Sequence, residues 1–140
     1  MALLSAAGAQ NNAYRQGQKR WKVEDRERRR LEDAAPRLAR EVPSLRTLRL
    51  ALSFRRGELK LLDASYIRVV VVSTAPALFD IACADSTCRD GGHPLTEPML
   101  KALRAGLTHF SGEVPCRGAA GTSGTNCNSV LIFEADATYV

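Results

Sequence analysis

The chain reads as an α+β domain carrying a basic helical arm at its front, and three features of its 140 residues predict this. Residues 14–34 are dense in charge and in good helix formers. From Leu48 onward apolar residues recur at every second position, the period of a half-buried strand. Near residue 100 the spacing returns briefly to that of a helix. Strands on both sides of one helix give a mostly antiparallel sheet with that helix packed on it.

Residues 1–13 are small and polar and read as a disordered lead-in. The helical arm is expected over 14–43. Pro36 breaks it, since proline suits a first turn and disrupts an interior. A second short piece follows, with Leu38, Ala39 and Val42 at helical spacing and Pro43 closing it. Residues 44–140 form the α+β body.

In that body Leu48, Leu50, Leu52 and Phe54 alternate with Arg49, Ala51 and Ser53. Gly57 can turn the chain back through Leu59–Leu62, so 48–62 reads as a hairpin. Tyr66-Ile-Arg-Val-Val-Val-Val-Ser73 is β-branched and nearly continuous, the composition of a central strand covered on both faces. Phe79, Ile81 and Cys83 share one face of a further strand. Thr96 is placed to N-cap a helix running to about Leu107, with Met99, Leu100, Leu103 and Leu107 on its apolar side. Residues 110–116 suit a short strand and 118–126 a flexible loop. Residues 129–139 suit a last strand.

The charge is divided. Residues 1–60 hold 15 Lys and Arg against 7 Asp and Glu, whereas 61–140 hold 5 against 8. A basic arm on a nearly neutral body points to a polyanionic partner. No run has the ~18 apolar residues of a membrane helix, so no membrane partner is expected. Met1–Ala9 is apolar and ends in small residues but lacks the basic start and the length of an export signal. A reducing, cytoplasmic compartment follows as the expectation.

All four cysteines lie in the second half, at places where an apolar run meets a turn. Cys83 and Cys88 enclose four residues, and Cys116 and Cys127 enclose ten. In a reducing compartment paired cysteines are more often metal ligands than disulfides. Four thiolates at two chain reversals can hold one structural zinc ion, with His93 as a substitute ligand. Disulfides Cys83–Cys88 and Cys116–Cys127, or unlinked buried thiols, are the competing readings. A four-thiolate site has no open position, which makes it structural and not catalytic.

Cys83-x4-Cys88-Arg89-Asp90-Gly91-Gly92-His93, followed by Phe110-x-Gly112-Glu113-x-x-Cys116-x-Gly118 and then Cys127, resembles a family of small bacterial proteins of uncharacterised function. The resemblance covers about half of the chain and leaves the arm outside. It implies that the cysteine half is one unit, and it implies no activity.

On a helical wheel at 100° per residue, Arg15, Lys19, Lys22, Arg26, Arg29 and Arg30 fall within a sector about 100° wide. This cationic stripe, about 25 Å long, matches a run of phosphates. Glu24, Asp25, Glu27 and Glu32 lie outside the sector, where pairs such as Glu24 with Arg28 can form. Trp21 suits base stacking or anchoring of the arm. Arg49, Arg55, Arg56 and Lys60 either extend the stripe or keep a sheet edge soluble. His93 and His109 are the only histidines, and His109 falls where a helix C-terminus would favour it. A Cys88–His93 nucleophile pair lacks an orienting group, and no phosphate-loop or paired-acid motif is present.

The sequence therefore leads to a non-enzymatic zinc-binding protein docking on RNA, DNA or a ribonucleoprotein through its basic helix. An adaptor subunit of a protein assembly and a thiol redox protein are the alternatives.

Overall fold

The computed structural model describes residues 22–61, 64–85, 88, 90–120 and 125–140. Residues 22–34 form helix α1, and Leu38–Glu41 form a single turn, α2. The expected lead-in, together with Arg15, Lys19 and Trp21, lies outside the described residues.

The body is the antiparallel α+β arrangement that the alternating periods imply. β1 (Leu45–Arg56) and β9 (Ser129–Tyr139) pair along their full lengths, from Leu45 opposite Tyr139 to Arg56 opposite Ser129. β6 (His109–Pro115) flanks β9. β2 (Leu59–Lys60) and β3 (Tyr66–Val70) share the other flank of β1. Gly57 makes the β1–β2 turn at φ 60°, but β2 pairs with only two residues of β1. β3 takes the rest of that flank, from Leu52 back to Leu48.

One face of this sheet is the core. Leu48, Leu50, Leu52 and Phe54 of β1, with Leu131, Phe133, Ala135 and Ala137 of β9, are buried. They pack with Leu38 and Val42 at α2, with Phe79, Ile81 and Leu95, and with Met99 and Leu103 of helix α3 (Thr96–Arg104). Phe79, Ile81 and Leu95 come from the small hairpin of β4 (Asp80–Ile81) and β5 (His93–Pro94) and its flanks.

α3 is shorter than its sequence suggests. Gly106 at φ 74° reverses the backbone, and the Leu107 N–H donates to the Ala102 carbonyl at 3.1 Å, a glycine stop. Leu107 is left 46% exposed. Thr96 does not cap the helix: its hydroxyl accepts the Phe79 N–H at 2.9 Å and ties the β4 segment to α3.

Three other expectations are corrected. The valine-rich segment is not central, because among the described residues β3 pairs with β1 alone. The reason is that β9, the longer strand, takes the other flank of β1 along its whole length. Residues 118–126 contain β7 (Ala119–Ala120) and β8 (Thr125–Asn126), a small hairpin between two cysteines. His109 opens β6 and bonds the Asp136 carboxylate through Nδ1 at 2.8 Å, because α3 has already ended.

Leu50 is fully buried between strands on both sides. Leu50→Ala is expected to cost about 2–5 kcal/mol in denaturant unfolding. The Asp136 carboxylate, through its hydrogen bond and its charge, holds the exposed His109 imidazole above its ordinary range. The folded value exceeds the unfolded one, so this contribution is complete below about pH 6.5 and fades as pH rises through the folded pKa. An NMR titration should place the His109 midpoint high, and Asp136→Asn should bring it down towards the ordinary value, with Glu134 still raising it.

Candidate metal centre

Cys83 follows β4, Cys116 follows β6, and Cys127 sits between β8 and β9. Cys88 belongs to the polar excursion between β4 and β5. The sheet register brings these points together. The Cys116 N–H donates to the Ser129 carbonyl at 2.9 Å, where β6 leaves β9, and the Cys127 N–H donates to the Gly118 carbonyl at 2.8 Å.

All four Sγ atoms lie within 4.8 Å of one another. Cys83 and Cys127 are 3.8 Å apart and Cys88 and Cys116 are 3.6 Å apart. None is joined in a disulfide. Four thiolates at about 2.3 Å from a central ion stand about 3.8 Å apart along each tetrahedral edge. The nearest sulfurs match that edge and far exceed the ~2.05 Å of a disulfide. These two contacts run between the sequence pairs, unlike the local disulfides Cys83–Cys88 and Cys116–Cys127.

The surroundings are built around the sulfurs. The Cys116 Sγ accepts N–H groups from Gly92 at 3.4 Å and Gly118 at 3.3 Å, and the Cys83 Sγ accepts the Asp85 N–H at 3.5 Å. Burial raises the Cys116 thiol pKa, but these backbone donors and the neighbouring thiols outweigh it and bring the value below the ordinary one. Burial pushes Cys83 up to about 11 and also raises Cys88. A metal ion held here would need its cysteine ligands as thiolates, so binding would release protons.

Gly91 closes the cradle. A Cβ there would overlap the Cys88 Sγ and come within 3.2 Å of the Cys116 Sγ and the Cys83 Cβ. Next to it, Gly92 adopts φ 151°, and a side chain there would meet the Arg117 guanidinium at 2.9 Å and the Asp80 carboxylate at 3.0 Å. Those two groups form a bidentate pair, at 2.7 and 3.0 Å, which fastens the Cys116 loop to β4. Arg56 pairs with Asp85 and fastens the end of β1 to the Cys83 turn. Arg117 and Asp80 escaped the sequence reading, which named Gly91 and Gly92 in a motif without giving them a role. The one legible sign was the Cys-x-Gly at 116–118, which frees an N–H two residues on to reach back to its own sulfur.

His93 is not among these ligands. It is fully buried in β5, lies tilted against the Phe54 ring at 5.6 Å between centroids, and donates Nδ1–H to the Val114 carbonyl at 2.8 Å. Its Nε2 has no hydrogen-bond partner among the described residues, and burial lowers its pKa. It braces the edge of β6.

Of the cationic stripe, Lys22, Arg26, Arg29 and Arg30 are described, and all are exposed. Arg29 pairs with Asp25 at 3.1 Å and Arg30 with Glu27, so acids at the margins of the stripe reach two of its members. Arg55 pairs with Glu113 across the sheet.

Gly91→Ala is expected to abolish stoichiometric metal and lower the melting temperature. Gly106→Ala, whose Cβ would meet nothing within 4 Å, should lose some stability to its positive φ yet keep the metal. Elemental analysis of the two purified variants makes the comparison. Comparison with protein-family models, curated proteins and solved structures finds no match to this chain.

Proposed function

We propose that this is a small, non-enzymatic protein whose body is stapled by one structural zinc ion and whose α1 helix docks on nucleic acid or a ribonucleoprotein. The observation that carries the zinc reading is the spacing of the nearest sulfurs, 3.6 and 3.8 Å, the edge of a four-thiolate tetrahedron around zinc. Cys83, Cys88, Cys116 and Cys127 are its ligands. The ion supplies charge neutralisation and a covalent-like junction, with no position left for a substrate. Its binding free energy is in large part folding free energy, on the order of 10 kcal/mol in small zinc domains.

A second observation supports the partner. Val23, Glu24, Glu27, Arg28 and Leu31 of α1 face Asp80, Asp90, Gly91 and Arg117 across a cleft of about 270 Å³. On the helical wheel Lys22, Arg26, Arg29 and Arg30 centre about 150° from that face. The stripe thus points away from the zinc centre and into solvent, as a phosphate-binding face must.

Native mass spectrometry of purified protein is expected to show one zinc per chain, with chelation removing both zinc and fold. A metal-free chain that keeps its fold would overturn the zinc reading. Anisotropy of a single-stranded RNA oligonucleotide tests the arm. Lys22→Glu with Arg26→Glu should weaken binding and flatten the salt dependence by about one unit of slope per cation removed. Binding that ignores salt would refute the docking reading.

A further inference from the structure

The four sulfurs are not equally sheltered. Cys88, Cys116 and Cys127 are buried, at 6%, 8% and 6% exposure, while Cys83 is only partly buried. Cys83 stands just past the end of β4. The side of the cluster formed by Cys88 and Cys116 is closed. Gly91 lies so tightly against it that a Cβ would overlap the Cys88 Sγ and come within 3.2 Å of the Cys116 Sγ. A small solute arriving from solvent therefore meets Cys83 first.

Cys83 also has a partner within reach. Its Sγ is 3.8 Å from that of Cys127, so a bond of ~2.05 Å needs the two sulfurs to approach by roughly 2 Å. All four sulfurs lie within 4.8 Å, and proximity alone does not choose between partners. Anchoring does. The Cys116 Sγ accepts the Gly92 and Gly118 N–H groups, and the Cys116 N–H is bonded to the Ser129 carbonyl. Cys127 follows β8, a two-residue strand in a hairpin too small to be rigid by itself. The thiolate is the form that attacks an oxidant, and a cysteine holding a metal is already a thiolate.

We propose that the metal centre is a redox switch: hydrogen peroxide converts Cys83 and Cys127 to a disulfide, and the ion is released. This inference rests on the zinc reading. In the first step the Cys83 thiolate attacks a peroxide oxygen. An S–O bond forms, the O–O bond breaks and hydroxide leaves, giving a sulfenic acid. In the second step the Cys127 thiolate attacks the Cys83 sulfur. The S–S bond forms, the S–O bond breaks and a second hydroxide leaves. Two thiolates have lost two electrons, and one peroxide has become two hydroxide ions. Cys88 and Cys116 remain, too few for a four-coordinate site. The new bond ties the end of β4 to the start of β9, and a thiol reductant reverses it.

The test uses the purified full chain, with its zinc counted by native mass spectrometry before hydrogen peroxide is added. A metallochromic dye follows zinc release, a thiol reagent counts the thiols that survive, and peptide mass spectrometry maps the bonds. Zinc is expected to leave in step with the loss of a pair of thiols, with Cys83 linked to Cys127. Dithiothreitol and added zinc should restore the starting mass. Dimedone present during oxidation should mark Cys83. A chain that keeps its zinc while thiols are consumed would overturn the switch and leave the zinc reading standing. Links confined to Cys83–Cys88 and Cys116–Cys127, or dimedone found on Cys116, would overturn the proposed pair. A chain without zinc before peroxide is added would overturn the zinc reading and the switch with it.

Discussion

The structure hangs on the junction of four sulfur atoms at one end of its sheet. β6 and β9 separate there, β4 turns away from the core there, and the β7–β8 hairpin is inserted there. Each of these segments is too short to hold itself. β4, β5, β7 and β8 have two residues each, and a two-stranded hairpin of that size is not stable in water. Around them gather Cys83, Cys88, Cys116 and Cys127, the Asp80–Arg117 pair, and glycines at 91 and 92 where a side chain would collide. The core proper, from Leu38 to Ala137, lies on the adjacent face of the sheet. The molecule thus has two centres of cohesion, one apolar and one of sulfur, joined by β4–β5 and the ends of β1, β6 and β9.

The α+β class, the pairing-competent alternation of β1 and β9 and the apolar face of α3 were legible because they are periodic. Period is a property of neighbouring residues, and Leu48, Leu50, Leu52 and Phe54 declare it locally. The convergence of the cysteines was legible as a possibility from their places at chain reversals. Their crosswise proximity was not, because it depends on β9 returning between β1 and β6, a pairing that spans some eighty residues. The role expected of His93 was lost for the same reason: its partner, Val114, is distant in sequence. β3 misled because its composition reports how well it tolerates burial, and the fold leaves it at an edge.

The arm and the body use charge in opposite ways. On α1 arginines sit in i,i+3 and i,i+4 pairs on an exposed surface, where solvent screens each pair and the acids of residues 22–34 balance the cations. Around the sulfur centre arginines are single and specific: Arg117 to Asp80, Arg56 to Asp85. The first arrangement is solvated and exchangeable. The second spends them on loop geometry.

β9 comes after every strand that it holds together. Until its residues have left the ribosome, the two segments it separates, β1 and β6, have no common neighbour, and the leucines of β1 stay open on one flank. A nascent chain of this design must therefore wait, partly assembled, for its most central member. Assembly of the sheet and gathering of the four sulfurs become a single late event, and a chain cut short before residue 129 would lack both.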